Sequence, residues 1–156
     1  MVTMAVSSLF IDTNVLMYAT DTLSPWHTLA NDSLRDARQQ GVALVISPQI
    51  LREYLAATTR TSQMGSAAPL AQVLSNVRLF RQQFRVVEDN PLVLDNLISI
   101  LQTVRVGGKQ VHDANIVATM QAHGISRLLT HNTADFARFA QWITVLPLGT
   151  SLRPTL

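Results

Sequence analysis

Residues 7–19 read SLFIDTNVLMYAT, and the fold turns on how that stretch divides. Leu9, Phe10 and Ile11 form a short continuous apolar run, the pattern of a strand covered on both faces within a parallel sheet. Asp12 stands where such a strand, spanning 8–12, emerges, and the chain then turns helical over 14–19. In open α/β sheets ligands bind outside the carboxyl ends of strands, which makes Asp12 a candidate site residue. Asp12 is also a good N-cap for the following helix, and this stretch alone leaves both roles open.

The rest of the chain alternates in the same way. Ser24-Pro25 predicts a helix start with a capping serine and a proline at the first helical position. Trp26, Leu29, Ala30, Leu34 and Ala37 keep helical spacing as far as Gly41. Residues 43–46 (ALVI) read as a second buried strand, and Ser47-Pro48 repeats the cap signal before a helix with Ile50, Leu51, Tyr54 and Leu55 on one face. TSQMGSAAP, 61–69, reads as a mobile loop. Helices are expected at 69–84 and 90–104, with a short strand at 85–88 between them. The break at 106–109 (VGGK) precedes a helix over 112–123 that Gly124 stops. A strand at 126–130, a helical turn at 134–139 and a last strand at 143–148 complete the pattern. Short buried strands alternating with helices predict a three-layer α/β/α fold with a mainly parallel central sheet. With no repeat or linker, the expectation is a single domain over 1–156, its core about 8–148.

Composition narrows the chemistry. Hydrophobic residues make up 47% and charged residues 14% of the chain, against roughly 25% charged in an average protein, which excludes a disordered chain. Only eight Asp and two Glu are present, so each carboxylate carries more information. The absence of cysteine excludes disulfides, thiolate metal sites and a cysteine nucleophile, and fits a cytoplasmic protein. No signal peptide and no run of roughly 18 apolar residues is seen, so no membrane association is expected. Eleven of the twelve basic residues are arginine, the side chain best matched to phosphate. If four carboxylates were held by metal, those twelve would face only six acids, a balance suited to a polyanion.

Four carboxylates stand out. Asp113, placed on its helix, shares a face with Ile116, Val117 and Met120, and a core-facing carboxylate is costly unless compensated. The first helical turn supplies part of that compensation, and the apolar stripe beneath favours a functional role over a buried cap. Glu53 falls far from the centre of its helix's apolar stripe, and periodicity alone reads it as solvated. Asp135 follows a predicted strand and serves equally well as a cap. Clustered carboxylates repel unless a cation holds them, and Mg²⁺ or Mn²⁺ prefers oxygen ligands and substrate phosphates. Metal-assisted phosphoryl transfer to water is the chemistry such a site implies.

With these positions in view, the sequence resembles the PIN-domain nucleases, and within them the VapC-type toxins of bacterial toxin–antitoxin pairs. The matching pieces are IDTNVLMYA (11–19), SPQILREYL (47–55), HDANIVATMQAHGI (112–125) and LLTHNTADF (128–136). The resemblance implies that Asp12 and Asp113 hold the metal most directly, that Glu53 is the acid on the helix after the second strand, and that Thr13, Asn14 and Thr130 shape the site. Many relatives carry the fourth acid two residues after the threonine. Asn132 stands there, while Asp135, before Phe136, also matches the pattern. The resemblance further implies Mg²⁺-dependent cleavage of RNA (Mn²⁺ as substitute) to a 5′-phosphate and a 3′-hydroxyl, a homodimer, and inhibition by a small cognate antitoxin.

Lys109 and His112, close to Asp113, are candidate RNA contacts, as are Arg78, Arg81 and Arg85, whose spacing predicts a shared helix face. His112 and His131 raise metal-free acid–base cleavage as a competing mechanism. Tyr18 and Trp26 are able to stack on bases, though their helical spacing argues for core or dimer packing. Two other readings keep the fold: an RNA-processing or DNA-cleaving PIN nuclease without an antitoxin, and a catalytically weak module that binds RNA or protein, for which Asn132 is the supporting feature.

Overall fold

A computed structural model describes residues 7–63 and 68–152, with the side chains of 61–63 left aside. Five strands form one sheet: β1 (Ser8–Ile11), β2 (Ala43–Ile46), β3 (Arg85–Val86), β4 (Arg127–Leu129) and β5 (Thr144–Leu146). Their order is β3-β2-β1-β4-β5, and every pairing is parallel. Seven α-helices accompany them: α1 (Thr13–Thr20), α2 (His27–Gln39), α3 (Pro48–Gln63), α4 (Leu70–Gln83), α5 (Pro91–Thr103), α6 (Gln110–Ala122) and α7 (Thr133–Phe136). A 3₁₀ turn at Ala137–Phe139 follows α7. The three-layer α/β/α expectation holds, and the sheet is wholly parallel.

Burial explains the strands. Leu9, Phe10, Ile11, Val45, Ile46 and Leu128 are fully buried, as strands covered on both faces must be. The helices pack in two linked sets: α1 against α2 and α3, with α4 on α3, and α5 against α6, with α7 on α6. In α6, Ala114, Ile116, Val117, Ala118, Thr119 and Met120 are all buried, so this helix is interior for most of its girth. Gly124, at φ +68°, ends it by letting Ile125 N–H return to Met120 O at 2.9 Å. No helix among the described residues is long and apolar enough to cross a membrane.

The strand order fixes where a site can form. From β1 the chain builds outward through β2 and β3, then returns to the other side of β1 for β4 and β5. The reversal leaves a crevice between the carboxyl ends of β1 and β4, the usual ligand position in such sheets. Asp12 N–H donates to Leu129 O at 3.0 Å, so the two strand ends stay in contact at that point.

Several local expectations are corrected. Helix α2 begins at His27, because the Ser24 hydroxyl accepts from Trp26 N–H (3.1 Å) and closes a turn instead of capping a helix. Consequently Trp26 and Leu29 are 39% and 36% exposed and lie outside the core, while Ala30, Leu34 and Ala37 are buried as predicted. Helix α3 does start at Pro48, but the buried Ser47 hydroxyl has no hydrogen-bond partner among the described residues. Proline, with no N–H to satisfy, makes the first turn possible without a side-chain cap. The expected loop at 61–69 starts late, since α3 continues to Gln63; residues 64–67 lie outside the described residues, as does the tail from 153. Strand β3 is two residues long and not four, and α4 ends at Gln83, so Arg85 begins β3 and shares no helix face with Arg78 and Arg81.

Candidate active site

Strand β1 delivers Asp12 to the switch point, and the neighbours there take hold of both its oxygens. Oδ1 accepts from Thr13 N–H at 2.8 Å; Oδ2 accepts from the Thr130 hydroxyl at 2.8 Å and from Asn14 Nδ2 at 3.2 Å. The capping role and the site role therefore coexist: one oxygen caps α1, the other faces the end of β4. Thr130 is fully buried, and its Oγ1 also accepts from Asn132 N–H and Asn14 Nδ2, each at 3.1 Å. Asn14 Oδ1 in turn accepts from His131 N–H at 3.1 Å. Burial pushes the Asp12 carboxyl up to about 6; the hydrogen bonds from Thr130 and Thr13 oppose this, and the charges of Glu53 and Asp135 add to it.

Glu53 points inward, against its periodicity. The Thr13 hydroxyl donates to Oε2 at 2.7 Å and Gln49 Nε2 donates to Oε1 at 2.9 Å, so the half-buried carboxylate is fixed beside the start of α1. Gln49, itself only 7% exposed, gives a second hydrogen bond to His112 O (2.9 Å) and accepts from Asn115 Nδ2 (2.7 Å). One amide thus ties α3, which carries Glu53, to α6, which carries Asp113. Gln49→Leu leaves three polar groups without this partner, so it is expected to cost about 2 kcal/mol in urea denaturation.

Asp113 sits half-buried in the first turn of α6. Among the described residues nothing donates a hydrogen bond to its carboxylate, so the helix start does not satisfy it. Burial pushes it up to about 6, the charges of Asp12, Asp135 and Glu53 push the same way, and Arg138 opposes them. Asp135 is exposed in the first turn of α7 and acts on both Asp12 and Asp113 through its charge. The charges of Glu53 and Asp135 thus reach both Asp12 and Asp113, and that of Asp12 reaches Asp113. Asn132 is exposed in the N-cap position of α7, makes no side-chain cap, and contributes its backbone N–H to Thr130.

The donor set suits a hard divalent cation held by few protein ligands. Among the described residues no three Asp, Glu or His side chains are grouped so as to cage an ion. Mg²⁺ needs no cage, since it typically binds through one or two carboxylates and keeps several waters. Asp12 accepts three hydrogen bonds, leaving one of about four carboxylate lone-pair positions free, and Asp113 keeps all of its own.

The expected phosphate contacts divide. Lys109 and His112 are exposed at the start of α6, within four residues of Asp113. Arg78, Arg81 and Arg85 are all exposed, and none is among the charges acting on Asp12 or Asp113. Sequence reading passed over Gln49, Asn115 and Arg138. Gln49 precedes Glu53 by four residues, a spacing that places both on one helix face and is a usable signal. Arg138, whose Nη1 donates to Gln110 Oε1 at 2.7 Å, is the cation that acts on Asp113 and had no such signal.

Comparison with known proteins agrees with the fold. The PIN domain family matches residues 9–141. Ribonuclease VapC48 of Mycobacterium tuberculosis is 31% identical over 133 residues, covering 82% of this chain and 89% of that protein. Ribonuclease VapC24 of the same organism is 25% identical over 136 residues, covering 84% and 90%. Among solved structures, VapBC2 from Rickettsia felis, bound to a DNA fragment from their promoter, superposes with a TM-score of 0.67 at 16% identity, covering 90% of this chain and 98% of that one. Mycobacterium tuberculosis VapC20, a Sarcin-Ricin loop cleaving toxin, gives 0.64 at 14% identity, covering 94% and 99%. At those identities the structural likeness is one of fold. The family match over most of the chain and the ribonuclease relative together place the protein in the PIN-domain family.

Proposed function

We propose that this protein is a divalent-metal-dependent endoribonuclease and the toxin of a type II toxin–antitoxin pair, acting in the cytoplasm as a single-domain chain that forms a homodimer. The observation that carries the reading is the pairing of Asp12 and Asp113 at the switch point, two carboxylates raised to about 6, with the charge of the first felt at the second. Its kinship with Ribonuclease VapC48 supports RNA as substrate. Asp12 and Asp113 would hold Mg²⁺, or Mn²⁺ in its place. Bound there, the cation supplies charge neutralisation at the scissile phosphate and eases loss of a proton from water.

The protein's own residues do the rest. Thr130, Asn14 and Thr13 lock the Asp12 rotamer, so that its remaining lone pair is aimed before substrate arrives. Gln49 and Thr13 hold Glu53 at the rim, where its charge adds to the cation's attraction. Asp135, exposed and with no hydrogen bond on its carboxylate among the described residues, accepts the proton of the attacking water. Water oxygen bonds to phosphorus, the P–O3′ bond breaks, the 3′-oxygen takes up a proton from solvent, and a 5′-phosphate and a 3′-hydroxyl remain. Arg138, whose charge reaches Asp113, and Lys109 and His112, exposed within four residues of it, would contact the phosphate backbone. Leu94, Ile98 and Leu101, exposed at helical spacing on α5, support a protein contact with a second copy or with a small antitoxin.

The test is incubation of the purified protein with total cellular RNA in Mg²⁺, in Mn²⁺ and in EDTA, with both fragment ends mapped. Discrete fragments bearing 5′-phosphates, seen only with metal, are expected. Cleavage that survives EDTA would transfer the chemistry to His112 and His131. RNA binding without any cleavage would favour the weak binding module, with Asn132 as the defect.

A further inference from the structure

We propose that Trp26, His131 and Tyr18 form a stacking platform for an unpaired nucleobase of the RNA, one step from the carboxylates. The inference rests on the ribonuclease reading above and adds a substrate subsite to it.

Three observations converge. Trp26 is 39% exposed although it is one of the largest apolar side chains in the protein. Its indole lies against the His131 imidazole, with ring centroids 4.4 Å apart and planes at 44°, and Tyr18 meets the same imidazole edge-on at 5.4 Å and 87°. The three rings therefore meet in one cluster, tilted and edge-on to one another, with Trp26 its exposed member and Tyr18 and His131 half-buried behind it. It is also joined to the site by the main chain: His131 follows Thr130, and its N–H donates to the same Asn14 whose Nδ2 donates to Asp12.

The backbone that carries two of the rings is anchored. The Trp26 backbone N–H donates to the Ser24 hydroxyl, and the His27 ring nitrogen Nδ1 lies 2.9 Å from Tyr18 O, holding the start of α2 against α1. Such a surface is what single-stranded nucleic acids use, because every base has a π-face to offer whatever its sequence. A base within a duplex has both faces covered by neighbours and cannot occupy it, so the subsite selects unpaired nucleotides next to the scissile bond.

The test uses the whole protein and two readouts. In steady-state cleavage of a short single-stranded RNA, Trp26→Ala is expected to raise KM about tenfold and leave kcat within about twofold, with Trp26→Phe intermediate. In the Asp113→Asn background, indole fluorescence is expected to be quenched by that RNA but not by an abasic oligomer of equal length. The quench should vanish when Trp26→Phe leaves Trp142 as the only indole. An unchanged KM in Trp26→Ala, or a quench that persists in Trp26→Phe, overturns the platform. So does a Trp26→Ala protein with normal RNA kinetics that is no longer neutralised by a small partner protein, since the rings would then be a protein contact. Melting temperatures identify a variant that merely folds badly, and Trp26→Phe remains the informative substitution in that case. If the wild type cleaves no RNA, the ribonuclease reading fails, and the quenching arm still decides whether the rings meet a base.

Discussion

Replacing Asp12 or Asp113 with asparagine is expected to lower metal-stimulated RNA cleavage by roughly 10³-fold while the circular dichroism spectrum stays native. The magnitude follows from what the pair supplies: charge stabilisation by a bound cation is worth several kcal/mol, and about 1.4 kcal/mol corresponds to a tenfold rate. The two positions fail for different reasons. Asp12→Asn turns an amide NH₂ either toward Thr13 N–H or toward Thr130 and Asn14 Nδ2, all of which donate to the carboxylate. That substitution therefore loses the aimed geometry as well as the charge. Asp113→Asn loses only charge, because nothing among the described residues donates to the Asp113 carboxylate. Initial rates on one defined RNA, with each variant in saturating Mg²⁺, check this. A variant retaining a tenth of the wild-type rate would remove its residue from the metal site.

The second expectation is that Asp113→Asn makes the metal-free protein more stable at pH 7.5, even as it destroys activity. Asp12 and Asp113 are raised from 3.8 to about 6, so the folded chain binds these protons more tightly than the unfolded one. Their contribution to stability is complete below about 3.8 and is lost as the pH rises through about 6. At pH 7.5 in chelator both are ionised and repel each other. Removing one charge relieves that repulsion by about 1 kcal/mol after solvent screening, a rise of roughly 3 °C in melting temperature. In EDTA the wild type should gain stability between pH 7.5 and pH 5, and Asp113→Asn should gain less. Adding Mg²⁺ at pH 7.5 should stabilise the wild type and leave the variant unmoved. Thermal melts across that pH range check both, and an Asp113→Asn protein less stable than wild type at pH 7.5 would contradict the electrostatic account.

Much of the fold was legible because its strands are interior. Continuous apolar runs at 9–11, 44–46 and 128–129 have no alternation to misread, and all are buried. The edges were less legible: β3 and β5 are short and partly exposed, and their ends depend on pairing that no local pattern records. Among the acids, Asp12 announced itself by following a buried strand. Glu53 did not, since what turns it inward is a hydroxyl forty residues earlier, Thr13, and an amide four residues earlier, Gln49. Helical spacing argues for core or dimer packing of Trp26, and of these the core is excluded because Ser24 closes a turn there, which shifts the start of α2. The contact of Trp26 with His131 spans more than a hundred residues and has no trace in helical spacing.

The most direct measurement of the central claim is a Mn²⁺ titration followed by electron paramagnetic resonance at pH 7.5, comparing wild type with Asp113→Asn. If Asp12 and Asp113 together hold the cation, the wild type removes Mn²⁺ from the free-ion signal and Mg²⁺ displaces it, while the variant does neither. Equal Mn²⁺ uptake by both proteins would contradict the account and move the cation away from this pair.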